Sequence, residues 1–156
     1  MALTSGAALR LIFLWREIGR ARLLASQGKP YERRVSSNGP RVLVLGDSTG
    51  VGIGASCPEE SVAGLLAAEF PDADIVNVSR SGARVADALG QARECNQQAL
   101  HFDVALLHVG GNDVLRATPR QKLSHDCRLL MTELSTLADQ TVWLGPVDIG
   151  IVPLFP

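Results

Sequence analysis

The stretch Val42–Gly50, which reads VLVLGDSTG, decides how this chain folds. Its apolar residues run for the length of a strand and stop at Gly46, and the small polar residues Asp47 and Ser48 follow at once. A continuous apolar run of this kind is typical of a strand that is buried on both faces of a parallel sheet. The turn would then hold the Ser48 hydroxyl at the carboxyl end of the strand, where open α/β sheets place their functional groups.

Two further apolar runs end in small and polar residues in the same way. The run at 75–76 leads into Asn77–Gly82 (NVSRSG), and the run at 104–107 leads into His108–Asp113 (HVGGND). Helical patterns fill the intervals, so strands and helices alternate, and we predict an α/β fold with a doubly wound parallel sheet. Because parallel strands end at one edge of such a sheet, the three turns are expected to lie close together.

Periodicity and turn residues predict where the elements begin and end. The predicted elements are strands at Val42–Leu45, Ile75–Val76, Val104–Leu107 and Thr141–Leu144, and helices at Ser61–Phe70, about Ala83 to Leu100 and about Thr118 to Ala138. In the first helix, Val62, Leu65 and Leu66 should face the core. The last helix has Thr118 as its predicted N-cap in a capping box, with Pro119 at the first helical position.

Composition excludes several classes of protein. At 156 residues, the chain is long enough for one domain with its own core. A net charge of −1 and 4% aromatic residues give no basis for a nucleic-acid partner. Cys57, Cys95 and Cys127 are odd in number and widely spaced, which argues against a disulfide framework or a zinc site and favours a reducing compartment. We therefore expect a cytoplasmic protein without a metal.

The first 40 residues differ from the rest, so we predict an N-terminal unit over 1–40 and the folded domain over 41–156. Residues 7–24 have helical character, but arginines are scattered along them. Their longest apolar run, Leu11–Trp15, is far shorter than the roughly 20 residues that span a bilayer. Two interpretations remain open for residues 7–24: a helix that packs on the domain or is loosely ordered, and a basic interfacial helix in peripheral contact with a membrane.

The residue types in the three turns suit acyl transfer. Ser48 is the candidate nucleophile, and its own backbone N–H is a candidate oxyanion donor because it points into the same space as the hydroxyl. Gly82 would supply a second backbone donor, and Asn112 a third through its side-chain amide. Asp113 is expected to fix its loop by accepting backbone hydrogen bonds, and Asp47 is a further supporting residue.

These motifs resemble those of the SGNH, or GDSL-type, hydrolases. Gly46–Ser48, Gly82 and Gly110–Asp113 match the first three sequence blocks of that family in order and spacing, and the resemblance covers about Arg41 to Phe155. It implies a flavodoxin-like three-layer α/β/α sandwich that hydrolyses carboxylic esters, including lipids, thioesters and acetylated sugars, without a metal or other cofactor. It assigns the nucleophile and the oxyanion hole to the residues named above and implies a small acyl ester as the substrate.

The fourth block of the family has no counterpart here. In the family, an Asp-x-x-His near the C-terminus supplies the general base and its orienting acid, and no such motif follows Asn112. The catalytic His/Asp pair is therefore not found in this chain, which could leave it inactive. Pro153–Pro156 is interpreted as the loop after the fourth strand, so we expect a last strand and helix to be missing. The exposed sheet edge then predicts self-association or marginal stability.

The chain has three histidines in all. His101 precedes the third strand, at the far end of the sheet, and His125 falls within a helix. His108 lies at the correct end of the third strand. We favour a structural role for His108 over that of a substitute base.

Three alternatives remain open. The first is a non-catalytic fragment or binding module with the same fold. The second rests on Gly50–Ala55, which matches the loose dinucleotide fingerprint G-x-G-x-x-A and would indicate a nucleotide-binding domain. The third rests on Gly46–Gly50, which also fits the G-x-S-x-G elbow of α/β-hydrolases, although that fold needs several strands before the elbow.

Overall fold

The computed structural model describes residue 16, residues 28–35 and residues 38–145. Within them, four parallel strands form one sheet in the order β2-β1-β3-β4. The strands are β1 (Arg41–Gly46), β2 (Asp74–Asn77), β3 (Phe102–His108) and β4 (Ala138–Leu144). This order confirms the predicted α/β fold with a parallel sheet.

Helices connect the strands on both faces of the sheet. They are α1 (Ser48–Val51), α2 (Val62–Glu69), α3 (Val85–Gln97), α4 (Gly111–Leu115) and α5 (Arg120–Leu137), with a 3-10 turn at Pro58–Glu60. The short helices α1 and α4 start directly after the ends of β1 and β3. Their N-termini therefore lie at the carboxyl edge of the sheet.

The central strand β1 is buried on both faces. Leu43 and Leu45 belong to the larger core, which packs the sheet against α3 and α5. Val42 and Val44 face the opposite way, into a smaller core under α2. Two apolar faces explain why β1 is a continuous apolar run rather than an alternating one.

The prediction for the inner face of α2 is wrong for Leu65, whereas Val62 and Leu66 pack against the smaller core as predicted. Leu65 is 59% exposed, whereas Ala63 and Ala67 are almost completely buried. Gly64 is also buried, and a side chain there would overlap the backbone around Glu59. Small residues therefore lie deepest on the inner face of α2, where the helix comes close to its neighbours, and Val62 and Leu66 pack beside them.

The predicted start of α5 is also wrong. The helix begins at Arg120, with Pro119 as its N-cap and no capping side chain. The Thr118 N–H instead donates to the Asp113 carbonyl at 2.9 Å, which holds Thr118 in the preceding turn. At its other end, α5 passes into β4 at Ala138 without a loop, so β4 starts three residues earlier than predicted.

Residues 28–35 contact the sheet next to β2. Arg33 and Ile75 form an antiparallel bridge with two backbone hydrogen bonds of 3.0 and 2.7 Å. The Arg33 guanidinium also donates to the carbonyls of Ala67, Phe70 and Ala73. The boundary at residue 40 stays a prediction. Apart from Arg16, the proposed helix at 7–24 lies outside the described residues.

The other side of the sheet ends at β4. Among the described residues, β4 pairs only with β3, and its residues Val142, Trp143 and Leu144 are 39–45% exposed. Self-association through this edge and membrane contact by residues 7–24 stay predictions. No helix in the described part of the chain is long and apolar enough to cross a membrane.

Candidate active site

The first turn of the candidate site depends on Gly46. Its φ is +136°, a backbone conformation that residues with a side chain rarely adopt. A Cβ there would overlap the carbonyl oxygen of His108 on the neighbouring strand. A glycine therefore ends β1 and lets the chain turn sharply into α1.

Asp47 and Ser48 follow at the start of α1. Asp47 is 8% exposed, its N–H donates to the His108 carbonyl at 2.8 Å, and its carboxylate caps α1 by accepting from the Thr49 N–H at 2.9 Å. Ser48 is half-buried and is the first residue of the helix. Within the described residues, its backbone N–H has no hydrogen-bond partner. It is therefore free to donate to a bound anionic oxygen.

The second turn follows β2 and contacts the first. The Arg80 N–H donates to the Gly46 carbonyl at 2.9 Å. Gly82 has a φ of +78°, and its N–H has no hydrogen-bond partner in the described part of the chain. A cavity of about 380 Å³ adjoins Gly82. Neither Ser48 nor Asn112 is among the residues that line this cavity.

The third turn follows β3 and contacts the second. The Asn112 side-chain nitrogen donates to the Ala83 carbonyl at 3.0 Å, and the Asp113 carboxylate accepts from the Val85 N–H at 2.9 Å. An amide nitrogen carries two N–H groups, so one remains on Asn112 for another acceptor. Asp113 is 3% exposed and connects the third turn to the start of α3.

These contacts join the three turns into one hydrogen-bonded cluster. The first turn contacts the other two through the backbones of Gly46 and Asp47, and the second contacts the third through Ala83 and Val85. Ser48, Gly82 and Asn112 thus lie on adjoining turns at one edge of the sheet. Such an edge is the usual ligand-binding position in an open α/β sheet.

Two buried polar side chains that were not predicted from the sequence also support this cluster. Gln91 is fully buried and makes two hydrogen bonds to the backbone of Gly46. Asn77 is 4% exposed, donates to the Gly50 carbonyl at 2.8 Å and accepts from the Ser79 N–H at 3.1 Å. One signal was available for Gln91, because it lies beside Ala92 on the inner face of an otherwise amphipathic helix.

His108 is the last residue of β3 and begins the third turn. Its side chain is 7% exposed, and its buried Nε2 has no partner among the described residues. Burial lowers the pKa of His108 from its usual value of 6.5, and the nearby Asp47 carboxylate only partly opposes this. The ring is therefore neutral near pH 7.

The other two histidines lie away from the three turns. His101 precedes β3 at the amino edge of the sheet, where its Nε2 lies 3.5 Å from the Asp139 carboxylate. His125 is exposed on α5. No hydrogen bond in the described part of the chain joins a histidine to the Ser48 hydroxyl.

The described residues also bear on two other kinds of site, a metal site and a dinucleotide-binding site. In the described ranges, no group of three His, Cys, Asp or Glu side chains is placed to hold a metal ion. Gly50 lies within α1, and Gly52 caps the C-terminal end of that helix. The dinucleotide fingerprint requires its glycines between a strand and the N-terminus of a helix.

Comparison with known proteins identifies the family and the fold of the chain. The model of the GDSL-like lipase/acylhydrolase family matches residues 44–156, well over half of the chain. No curated protein sequence matches the chain.

Solved structures with the same fold include two esterases and a member of the lipolytic G-D-S-L family. A psychrotrophic esterase, EstA from Pseudoalteromonas sp., in a structure inhibited by monoethylphosphonate, is 24% identical with a TM-score of 0.57 over 72% of this chain and 64% of its own. AlinE4, an SGNH-hydrolase family esterase, is 23% identical with a TM-score of 0.61 over 70% and 60%. A member of the lipolytic G-D-S-L family from Veillonella parvula is 15% identical with a TM-score of 0.58 over 66% and 56%. The chain thus spans 56–64% of the length of these structures.

Proposed function

The chain belongs to the GDSL-like lipase/acylhydrolase family, and we propose that it acts on carboxylic esters with Ser48 as the nucleophile. The observation that carries this proposal is the position of Ser48. It follows β1 directly at the start of α1, its N–H is free among the described residues, and the turns of Gly82 and Asn112 adjoin it.

In the proposed reaction, the Ser48 hydroxyl oxygen attacks the ester carbonyl carbon while a base takes the hydroxyl proton. The carbonyl oxygen becomes an oxyanion that accepts hydrogen bonds from the N–H groups of Ser48 and Gly82 and from the Asn112 amide. When this intermediate collapses, the alcohol leaves with a proton and an acyl-enzyme remains, which water hydrolyses. Loss of one such donor typically raises the barrier by about 2.7–4 kcal/mol.

The identity of the base is the open part of this mechanism. The sequence contains no Asp-x-x-His motif. We propose that His108 supports the first turn and is not the base, because its ring is buried and its backbone carbonyl accepts a hydrogen bond from the Asp47 N–H. Activation of Ser48 then depends on a group other than the three histidines.

Labelling with a fluorophosphonate, read by the mass of the intact chain, tests the proposal. A phosphonate probe is suitable because a phosphonate inhibits the similar esterase EstA. We expect one adduct on the wild-type chain, none on Ser48→Ala, and unchanged labelling of Ser135→Ala, whose serine is exposed on α5. Labelling retained in Ser48→Ala would contradict the assignment of the nucleophile.

Labelling of His108→Gln then separates the two roles of that histidine. Retained labelling supports a structural role, whereas a loss in a folded variant would identify His108 as the base. A wild-type chain that is folded and yet unlabelled would favour the second candidate function, a non-catalytic module of the same fold. The missing Asp-x-x-His motif is the observation that keeps this candidate open.

A further inference from the structure

The side chain of Gln91 is the most deeply buried polar group near the first turn. It projects from α3, is 0% exposed, and lies 45 residues along the chain from Gly46. Its Oε1 accepts from the Gly46 N–H at 2.8 Å, and its Nε2 donates to the Gly46 carbonyl at 3.1 Å. Both halves of the amide are therefore committed to one backbone residue.

These hydrogen bonds take the place of those that β2 would make if its pairing with β1 continued as far as Gly46. The register of β1 with β2 stops at Val44 and Asn77, two residues before Gly46. Beyond it, the Gly46 carbonyl receives the Arg80 N–H, while the Gly46 N–H has Gln91 as its acceptor. A buried N–H without an acceptor destabilises the fold.

We propose that Gln91 is a positioning residue for the nucleophile, which rests on the proposed function of Ser48. Gly46 is the residue from which the chain leaves β1, and its positive φ of +136° sets the direction of Asp47 and Ser48. The two hydrogen bonds from Gln91 hold the Gly46 peptide groups in the orientation that this direction requires. Gln91 contacts no reacting atom and acts only through the turn.

The labelling rate of Ser48 tests this inference when a matched core variant is included. Gln91→Leu removes both hydrogen bonds and puts an apolar side chain of similar size in place of the amide. We expect this variant to slow labelling by about 10- to 100-fold, the scale of a small misplacement of a reacting group. Leu89→Ala, on the same helix and 6% exposed, destabilises the core without touching Gly46. We expect it to lower the unfolding temperature but to leave the labelling rate of the folded chain unchanged.

Gln91→Glu provides a readout that general destabilisation would not produce. A protonated carboxylic acid both donates and accepts and can replace the amide, whereas an ionised carboxylate only accepts. The ratio of the Gln91→Glu labelling rate to the wild-type rate is therefore expected to rise as the pH falls. Equal slowing in Gln91→Leu and Leu89→Ala would overturn the inference, and so would a wild-type rate in Gln91→Leu.

Amide hydrogen exchange keeps the test independent of catalysis. In Gln91→Leu, and not in Leu89→Ala, we expect exchange of the Gly46 N–H to accelerate at least tenfold more than exchange of the β3 amide of Ala105. An unlabelled wild-type chain would disprove the proposed function while leaving this measurement intact. Unchanged exchange of the Gly46 N–H in Gln91→Leu would overturn the positioning role itself.

Discussion

The two edges of the same sheet are stabilised in different ways. At the carboxyl edge, the turns are held by polar side chains that are almost completely buried, namely Asp47, Asn77, Gln91 and Asp113. At the amino edge, the polar contact between the starts of β3 and β4 is exposed, although Arg33 and Asp74 make partly buried hydrogen bonds beside β2. His101 and Asp139 form a contact of 3.5 Å between side chains that are 61% and 65% exposed.

This difference indicates at which edge the stability of the fold depends on individual residues. A buried polar group must be hydrogen-bonded, because its loss of water is not recovered otherwise. An exposed ion pair exchanges one set of water contacts for another and contributes little. The carboxyl edge should therefore tolerate few substitutions, and the amino edge many.

The largest effect is expected at Gly46. Gly46→Ala places a Cβ against the His108 carbonyl in a backbone conformation with φ of +136°. We expect the free energy of unfolding, measured in urea, to fall by more than about 3 kcal/mol. The matched control is Gly90→Ala in the interior of α3, where a Cβ meets nothing within 4 Å.

The control should have the opposite sign, because alanine in a helix is about 0.5–1 kcal/mol more favourable than glycine. Equal losses of stability in both variants would show that the carboxyl edge has no special requirement at Gly46.

A smaller effect is expected at Asp113. Asp113→Ala leaves the buried Val85 N–H without its acceptor and should lower the free energy of unfolding by about 1–3 kcal/mol. Asp113→Asn keeps an acceptor oxygen at the same position and should lose less. If urea unfolding gives equal losses for the two variants, the hydrogen bond to Val85 is not what matters there.

A pH-dependent effect is expected at His108. Burial lowers the pKa of this histidine in the folded state below 6.5, so the unfolded state binds a proton more readily. Its contribution to the free energy of unfolding should therefore decrease as the pH falls through 6.5 and below, and be fully recovered at higher pH. Urea unfolding between pH 7.5 and pH 5 should give a shallower acid-side slope for His108→Gln than for the wild type.

The exposed His125 supplies the matched variant, His125→Gln, which controls for the removal of a histidine as such. An acid-side slope in His108→Gln equal to that of the wild type would mean that the buried ring is not the source of the pH dependence.

The smallest effect is expected at the amino edge. Asp139→Asn removes the carboxylate from an exposed contact with His101 and should change the free energy of unfolding by less than about 1 kcal/mol. The change should shrink further as salt is added. A larger loss would mean that the amino edge resembles the carboxyl edge.

Much of the fold could be predicted from local patterns. The apolar run before Gly46 predicted a strand buried on both faces, and the alternation of strands and helices predicted the parallel sheet. The exposure of Leu65 could not be predicted from the sequence, because Leu65 is more hydrophobic than Ala63, which is almost completely buried on the same helix. The predicted N-cap of α5 was wrong because the Thr118 N–H donates to the Asp113 carbonyl five residues earlier, which keeps Thr118 in the preceding turn.

Local sequence patterns are enough to predict the order of the elements and the three turns that end the strands, because strand runs, helical periods and turn residues are properties of neighbours along the chain. Only the tertiary structure decided which polar groups hold those turns together. The pairing of Gln91 with Gly46 joins residues 45 positions apart. Such a contact depends on where α3 packs against β1, and nothing adjacent to either residue encodes that position.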